Sequence, residues 1–273
     1  DYRPETLVWN VQGHTLDLLH TASRTADTLR WRDVIVATGA TDRVLPIPGW
    51  TLPGVYTLGG AQVALKYQGC AIGDAVVFAG TGPLLYLVAY QYAKAGGQVR
   101  ALLDTAPAAQ RYKAAPAMLA QPAVTAKGVY YLGWLMLHNV PVHHGVQLLR
   151  AEGGAENERV QALVWKDAQG VEQRTDCSAV GLGYALRPET QLADLLGCEF
   201  VFAPLHRCYV PRTDADRRSS VPGVYLAGDG AGIMGADAAE ISGELAALAL
   251  LQDRGIQIDA ANMPHLRQQL FFK

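Results

Sequence analysis

Cysteine is scarce in this 273-residue sequence, and its four residues lie far apart at Cys70, Cys177, Cys198 and Cys208. None belongs to a CxxC pair or has the spacing of metal ligands, so the sequence predicts neither a disulfide framework nor a metal site. Each cysteine is expected to be a small buried hydrophobic residue or an unreactive surface thiol. A reducing, cytoplasmic setting fits this pattern best.

Charged residues are also few, at 18% of the sequence, and the net charge is −2 with a pI near 6.4. Such a balance gives no electrostatic reason to expect a nucleic acid or an anionic membrane surface as partner. Half of the residues are hydrophobic, which is enough core for one large or two ordinary domains. A signal peptide is not recognisable, and the opening at Asp1 without a methionine leads us to expect a chain that has been cut.

One uncharged stretch, residues 75–93, is long enough to span a bilayer. A Gly-Thr-Gly-Pro turn at residues 80–83 interrupts it, and a spanning helix broken there would leave backbone amides unpaired in lipid. The stretch is therefore predicted to be a buried strand followed by a buried helix, with no transmembrane segment.

This stretch begins a predicted βαβ unit. Residues 75–79 (AVVFA) have the composition of a strand buried on both faces of a parallel sheet. Pro83 suits the first position of a helix, and Gly96-Gly97 suits its end. A second apolar run, residues 99–103, predicts the next strand, which ends on Asp104.

The turn between strand and helix has the residues of a phosphate-binding loop. Gly80 would permit a tight turn, and Gly82 lacks the Cβ that would block a pyrophosphate. Thr81, Pro83 and Leu84 complete the candidate site, where the first amides of the helix face the anion.

Asp104 is placed to accept hydrogen bonds from an adenosine ribose, which would favour NAD over NADP because a carboxylate repels a 2′-phosphate. The fingerprint expects Gly or Ala where this chain has Leu85. NAD, another adenine nucleotide, or a turn that has lost its ligand therefore all remain open at residues 80–85.

The flanking segments predict further α/β structure. Residues 7–37 alternate like a small antiparallel meander that leads into a buried strand, and this strand runs into Thr38-Gly39-Ala40. Beyond the βαβ unit the sequence predicts the following elements: an irregular stretch within 105–125, a helix at 128–139, a strand at 141–151, hairpins near 153–154 and 167–170, a strand at 178–182, a helix at 189–196, a strand ending at Gly228-Asp229, and a helix from 236 to about 252. His143 and His144 are adjacent on a predicted strand, so they should point to opposite faces and not bind one metal together.

Three separated motifs carry a resemblance. They are residues 36–39 (VATG) with Pro48-Gly49, residues 80–82 (GTG), and residues 224–229 (VYLAGD). Together they resemble the two-dinucleotide-domain flavoproteins that include the pyridine nucleotide-disulfide oxidoreductases. Residues 45–55 (LPIPGWTLPGV) and 59–62 (GGAQ) further resemble the α subunits of opine oxidases, of proline and hydroxyproline dehydrogenases, and the related subunit of hydrogen cyanide synthase.

The resemblance implies an α/β fold in which a Rossmann-like, NAD-type domain at residues 52–175 is inserted into a partial FAD domain. Residues 1–51 and 176–273 would form the FAD part. In such proteins the residue matching Asp229 hydrogen-bonds the ribityl-pyrophosphate region, and the helix after Gly235 and Ala236 directs its amides at the phosphates. Thr38, Gly39, Ala40 and Gly228 would lie near the same cofactor. The alternative role for Asp229 is an ordinary helix N-cap.

Two features depart from the family pattern. Nothing before Thr38 resembles the first glycine fingerprint, which binds the ADP half of FAD, so the flavin site is expected to be incomplete on this chain. The iron-sulfur cysteines of some opine oxidase-like α subunits have no counterpart here. A redox cysteine pair is also missing from these residues, which argues against disulfide reduction but leaves open a pair in an N-terminal part that was cut away.

The resulting hypothesis is an FAD-dependent oxidoreductase subunit that relays electrons while a partner subunit oxidises an amino acid or an opine-like amine. No catalytic residue is assigned. We expect a cytoplasmic protein that is either independent of the membrane or peripheral to the inner membrane through its partners. The alternatives are a non-catalytic nucleotide-binding scaffold and a stand-alone NAD(P)H-dependent flavin reductase.

Overall fold

The computed structural model describes residues 1–107, 122–154, 158–257 and 262–271. The chain forms two compact units, one of Asp1–Thr41 with Leu186–Lys273 and the other of Asp42–Ala185. The second unit is thus one continuous segment inserted between the two halves of the first. The predicted boundaries at 51/52 and 175/176 both fall inside this inserted unit. None of the helices in the described ranges is long and apolar enough to cross a membrane.

The strands in chain order are β1 (Thr6–Gln12), β2 (Thr15–His20), β3 (Thr25–Arg30), β4 (Val34–Val36), β5 (Ala40–Asp42), β6 (Val55–Thr57), β7 (Ala75–Thr81), β8 (Gln98–Asp104), β9 (Val142–His144), β10 (Gln147–Gly153), β11 (Val160–Lys166), β12 (Glu172–Asp176), β13 (Ala179–Tyr184), β14 (Leu186–Pro188), β15 (Phe200–Ala203), β16 (Cys208–Pro211) and β17 (Val224–Leu226). The α-helices are α1 (Leu58–Tyr67), α2 (Pro83–Lys94), α3 (Pro122–Leu137), α4 (Gln191–Leu195), α5 (Ala236–Asp253) and α6 (Met263–Phe271).

The inserted unit is built on a five-stranded parallel sheet in the order β6-β13-β7-β8-β9. Its central strand β7 is buried on both faces, as the uncharged run predicted. Val76 and Phe78 join a core with residues of α1, α2 and α3, whereas Val77 and Ala79 join a core with the antiparallel sheet β10-β11-β12. This division follows from the alternation of side chains along a strand. The predicted βαβ unit is confirmed, and so is the interpretation of residues 75–93 as strand plus helix.

Two predicted elements of this unit are wrong in their bounds. The single strand expected at 141–151 is two strands, β9 and β10, which belong to different sheets. Gly145 lies between them with φ +68°, a backbone conformation that turns the chain and suits glycine. The helix expected at 128–139 begins earlier, with Pro122 as its first residue, and ends at Leu137. The stretch predicted to be irregular within 105–125 lies mostly outside the described residues.

The first unit contains the predicted antiparallel meander β1-β2-β3, the hairpin β15-β16, and β4 paired in parallel with β17. Helix α5 covers one face of β17 through Ala246 and Ala249, which pack with Tyr225 and Ala227. The strand ending before Thr38 is less buried than predicted, since Ile35 is 40% exposed and Ala37 is also exposed. The only described strand that hydrogen-bonds to β4 is β17, so one edge of β4 has no described strand beside it.

Candidate functional site

The glycine turn joins β7 to α2. Gly82 is the N-cap residue of α2, with φ +97°, and no side chain caps the helix. A Cβ built on Gly82 would meet no atom of the described residues within 4 Å, so no described group fills the space beside the turn. Pro83 occupies the first helical position and is exposed, as predicted. No described residue therefore covers the start of α2, and a helix start with uncapped amides is the arrangement that anions bind.

Gly80 has a different role from the one predicted. It lies inside β7, paired with Gly183 on one side and Asp104 on the other, rather than in the turn. A Cβ on Gly80 would lie 1.7 Å from the Gly183 carbonyl oxygen, so its absence permits two strands to approach each other.

The remaining turn residues divide between surface and core. Thr81 is the last residue of β7 and pairs with Tyr184. Leu84 is half-buried, whereas Leu85 is fully buried in the core between the sheet and the helices. Leu85 stands where the fingerprint expects Gly or Ala, and its larger side chain packs into the core between the sheet and the helices.

Asp104 is buried at the end of β8, with its side chain 6% exposed. Its Oδ2 accepts a hydrogen bond from the Tyr86 hydroxyl at 2.6 Å, and its Oδ1 accepts one from the Ala106 amide at 2.9 Å. His144 Nδ1 lies 3.7 Å from Oδ2 and 3.3 Å from the Tyr86 oxygen. This carboxylate is therefore not a solvated surface group.

Tyr86 and His144 were not singled out by the sequence as site residues. Tyr86 is marked in the sequence only by its position four residues after Gly82. His144 is marked only as the second of two adjacent histidines. Neither position by itself indicates a site residue. The strand alternation did indicate that only one of the two histidines faces this side. His143 is exposed and its ring lies 4.7 Å from that of Trp165. Within the described ranges, no group of three His, Cys, Asp or Glu side chains is arranged to hold a metal.

A second arrangement lies in the first unit, where β4 and β17 end side by side. The Thr38 hydroxyl donates to the Glu189 carbonyl at 2.7 Å, and the Glu189 amide donates to the Gly39 carbonyl at 2.9 Å. A Cβ on Gly230 would lie 2.9 Å from the Thr38 hydroxyl, so glycine lets these loops approach closely. The residues from Thr38 to Ala40 are thereby held against the loop that follows β17.

Asp229 organises that loop. Its Oδ1 accepts hydrogen bonds from the Met234 and Gly235 amides at 2.9 and 3.1 Å. The N-cap of α5 is Gly235, with φ +93° and no side-chain cap, so Asp229 is not the N-cap itself. Gly235 and Ala236 are exposed, and a Cβ on Gly235 would meet no atom of the described part of the chain within 4 Å. The start of α5 thus has space beside its glycine like the start of α2, but its first turn also carries the Asp237 carboxylate, which α2 lacks.

A hydrogen bond to a buried side chain also attaches the start of this loop to α5. The Gly228 amide donates to the hydroxyl of Ser242, which is fully buried on α5, at 3.1 Å. The chain between Gly228 and Gly235 is thus fixed at one end by the buried Ser242 hydroxyl and at the other by the Asp229 carboxylate.

The four cysteines form no disulfide. Burial raises the pKa of the Cys177 thiol to about 11, and burial also raises the pKa of Cys198. A thiol with a raised pKa has little thiolate at neutral pH and reacts slowly. These two residues therefore behave as the small buried hydrophobic groups that the sequence predicted.

Comparisons with known proteins show which family and which characterised sequences this chain is similar to. The profile of the family described as pyridine nucleotide-disulphide oxidoreductase matches residues 5–243. An opine oxidase subunit of Rhizobium meliloti is 38% identical over 266 residues, covering 94% of this chain and 49% of the relative. Hydrogen cyanide synthase subunit HcnB of Pseudomonas protegens is 33% identical over 260 residues, covering 94% and 55%. The chain thus spans about half the length of these relatives.

Solved structures share the fold. L-proline dehydrogenase from P. horikoshii superposes with a TM-score of 0.68 at 17% identity, covering 97% of this chain and 43% of that one. T. acidophilum thioredoxin reductase superposes with a TM-score of 0.64 at 20% identity, covering 91% and 74%.

Proposed function

Because the chain belongs to the pyridine nucleotide-disulphide oxidoreductase family, we propose that it is the nucleotide- and flavin-holding subunit of a heteromeric oxidoreductase. The observation that carries the proposal is the repeated helix start, in which a glycine with positive φ precedes an uncapped helix at Gly82 and again at Gly235. Two such sites, one in each unit, suit a protein that binds two phosphate-containing cofactors.

In the first unit, we assign the pyrophosphate and ribityl region of FAD to the start of α5. The open amides beyond Gly235 and the loop held by Asp229 supply donors of the kind that phosphates accept, and the space beside Gly235 fits a bound group. Thr38, Gly39 and Ala40 lie beside the same loop through Gly230 and Glu189. FAD bound here would supply the redox chemistry, and these residues would bind and orient it.

The flavin site is proposed to be incomplete within residues 1–273. The edge of β4 that carries no described strand and the 40% exposure of Ile35 support this proposal, because a further strand could pair with that edge and a further element could cover the isoleucine. A further strand, turn and helix beside β4 would hold the ADP half of the cofactor.

In the inserted unit, we assign NAD or another adenine nucleotide to the turn from Gly80 to Leu84. The open space at Gly82 suits the phosphates, and Asp104 lies at the end of the neighbouring strand, on the side where the ribose would follow.

A partner protein is the third part of the proposal. Both relatives are named as subunits, one of opine oxidase and one of hydrogen cyanide synthase. We propose that this chain relays electrons while its partner oxidises an amino acid or an opine-like amine. The assembly would work in the cytoplasm, either in solution or attached to the inner membrane through the partner.

A non-catalytic nucleotide-binding scaffold is the second candidate. The burial of Asp104, whose two carboxylate oxygens already accept hydrogen bonds, supports it, because burial restricts how a ribose can reach that carboxylate. Leu85, where the fingerprint expects Gly or Ala, also favours it. Substrate-dependent reduction of flavin in the assembled complex would exclude the scaffold. Rapid bleaching of the flavin by NADH alone would instead indicate a stand-alone reductase.

Titration with FAD tests the flavin assignment directly. The wild-type chain is expected to quench flavin fluorescence in a saturable way. Asp229→Ala should bind FAD at least tenfold more weakly, because the loop before α5 loses both hydrogen bonds to Oδ1. Asp194→Ala, which removes an exposed carboxylate on α4 of the same unit, is the control and should bind like wild type. Equal affinity for all three proteins would contradict the assignment.

A further inference from the structure

Asp104, Tyr86 and His144 form a cluster beside the glycine turn, and the proposed function uses only the first of them. The Asp104 side chain is 6% exposed, whereas that of His144 is 31% exposed and Tyr86 is half-buried. A ligand that approaches this side of the turn therefore reaches the tyrosine and the histidine before it reaches the carboxylate.

The cluster lies on the side of the glycine turn where the proposed site places the sugar of a nucleotide. Asp104 pairs with Gly80 across the sheet, and the Thr105 amide donates to the Gly80 carbonyl at 2.7 Å, so the ends of β7 and β8 are joined. Tyr86 is the fourth residue of α2, one helical turn beyond the amides that face the phosphates. In a nucleotide the ribose is covalently attached to those phosphates, so it follows them towards this cluster.

The hydrogen bond to Asp104 decides what Tyr86 offers to a ligand. A tyrosine hydroxyl has one proton, and here it is donated to Asp104 Oδ2 at 2.6 Å. The phenolic oxygen consequently acts as an acceptor towards its other partners, and His144 Nδ1, at 3.3 Å, is one of them. The neighbouring His144 ring is nearly parallel to that of Tyr86, with the centroids 6.4 Å apart, and limits the orientations open to the tyrosine.

We propose that Tyr86 is the residue that contacts the ribose, accepting a hydrogen bond from a sugar hydroxyl, and that Asp104 is a positioning residue that sets the direction of the tyrosine proton. The inference rests on the proposed nucleotide site and deepens it. A ribose hydroxyl can donate to the phenolic oxygen. A 2′-phosphate has mainly acceptor oxygens and carries negative charge, so it is repelled by the Tyr86 oxygen and the nearby Asp104 carboxylate. The site therefore selects adenine nucleotides with an unphosphorylated ribose.

The test combines one protein change with one ligand change. Calorimetry measures the binding of ADP, 2′-deoxy-ADP and 3′-deoxy-ADP to the wild-type chain and to Tyr86→Phe. We expect Tyr86→Phe to bind ADP about tenfold more weakly, since a single hydrogen bond is lost. The wild type should bind one of the deoxy nucleotides about tenfold more weakly than ADP. Tyr86→Phe should bind that deoxy nucleotide and ADP with the same affinity, because the ligand change and the protein change remove the same hydrogen bond.

Tyr92→Phe is the matched control. It removes a hydroxyl from the same helix, but this hydroxyl donates to the Ala61 carbonyl inside the core at 2.7 Å, so the ADP affinity should not change. Asp104→Ala tests the positioning role, and its ratio of ADP to deoxy-ADP affinity should fall to about one, as for Tyr86→Phe. A general loss of structure would lower the affinity for all three ligands together and leave that ratio unchanged.

The outcomes separate the inference from the proposed function. If the wild type binds ADP and Tyr86→Phe binds it equally well, or if Tyr86→Phe keeps the wild-type preference for ADP over both deoxy nucleotides, the inference is overturned and the nucleotide site stands. If the wild type binds none of the three nucleotides, both are overturned.

Discussion

At the scale of single residues, two glycines of one turn are present for different reasons. Gly80 is needed because the Gly183 carbonyl oxygen occupies the space of its missing Cβ, whereas Gly82 has open space around it. Substitution of Gly80 therefore disturbs the sheet, and only substitution of Gly82 tests the ligand.

Replacing Gly82 by valine should abolish adenine-nucleotide binding, because the side chain would fill the space where the phosphates approach the helix. Its φ of +97° also disfavours any side chain, so we expect a cost of about 1–3 kcal/mol in unfolding free energy. Calorimetry with NAD and ATP measures the binding. Gly96→Val, at the other end of α2 with φ +88° and open space, controls for the backbone strain and should still bind. A Gly82→Val protein with wild-type affinity would show that the nucleotide is bound elsewhere.

Replacing Asp104 by alanine should weaken NAD binding and relax the discrimination against NADP. The removed carboxylate orients the Tyr86 hydroxyl and adds negative charge beside the sugar, so NAD should bind about tenfold more weakly and a 2′-phosphate should be repelled less. Binding of both dinucleotides is measured on this variant and on Asp74→Ala, which removes an exposed carboxylate just before β7. Unchanged affinities for both ligands would remove Asp104 from the site.

At the scale of elements, the C-terminal end of α5 is joined to β17 and its neighbouring segment by a charged network. Arg218 donates from Nε and Nη2 to the two oxygens of Asp253, and the Tyr225 hydroxyl donates to the same carboxylate at 2.7 Å. Burial, together with this hydrogen bond, raises the pKa of Tyr225 to about 12. The folded state therefore favours the protonated tyrosine more strongly than the unfolded state does.

Alkaline unfolding should reveal this contribution. A tyrosine whose folded pKa exceeds its unfolded value of about 10 stabilises fully below pH 10 and loses that contribution as the pH rises through 12. We expect the unfolding free energy of the wild type to fall between these values by about 2–3 kcal/mol more than that of Tyr225→Phe. Denaturant titrations of both proteins across this range measure the difference. Parallel pH profiles would mean that Tyr225 ionises as readily in the folded state as in the unfolded state.

At the scale of the whole molecule, each unit carries its own open helix start after a parallel strand, but they differ in how complete their sheets are. The inserted unit has five parallel strands, whereas β4 and β17 form a sheet of two in the described part of the first unit. A nucleotide needs one strand, turn and helix, whereas the two halves of FAD would need two such elements.

Purified residues 1–273 should consequently be colourless or faintly yellow. Asp229 and the start of α5 would contact the middle of FAD, and the loss of even three modest hydrogen bonds elsewhere would reduce the affinity by a few orders of magnitude. The absorption spectrum after gel filtration is the measurement, with free FAD at the same concentration as the reference. One flavin per chain would mean that Thr38, Gly39 and Asp229 suffice.

The sequence alone determined the βαβ unit, the long helix after Gly235 and the family, because glycine, proline and runs of apolar residues act on the backbone close to where they stand. The uncharged run at 75–93 predicted strand and helix correctly for the same reason. Even here the role of Gly80 was hidden, since the atom that excludes its Cβ belongs to a residue more than a hundred positions away.

Only the tertiary structure decided which groups meet. Positions 86, 104 and 144 form one cluster because β8 and β9 are neighbours in the sheet and α2 packs beside them, and no local pattern encodes that pairing. The exposure of Ile35 and the division of residues 141–151 between two sheets were likewise set by long-range contacts. The physical reason is that backbone preference acts within a few residues, whereas burial and strand order depend on segments that the chain brings together only on folding.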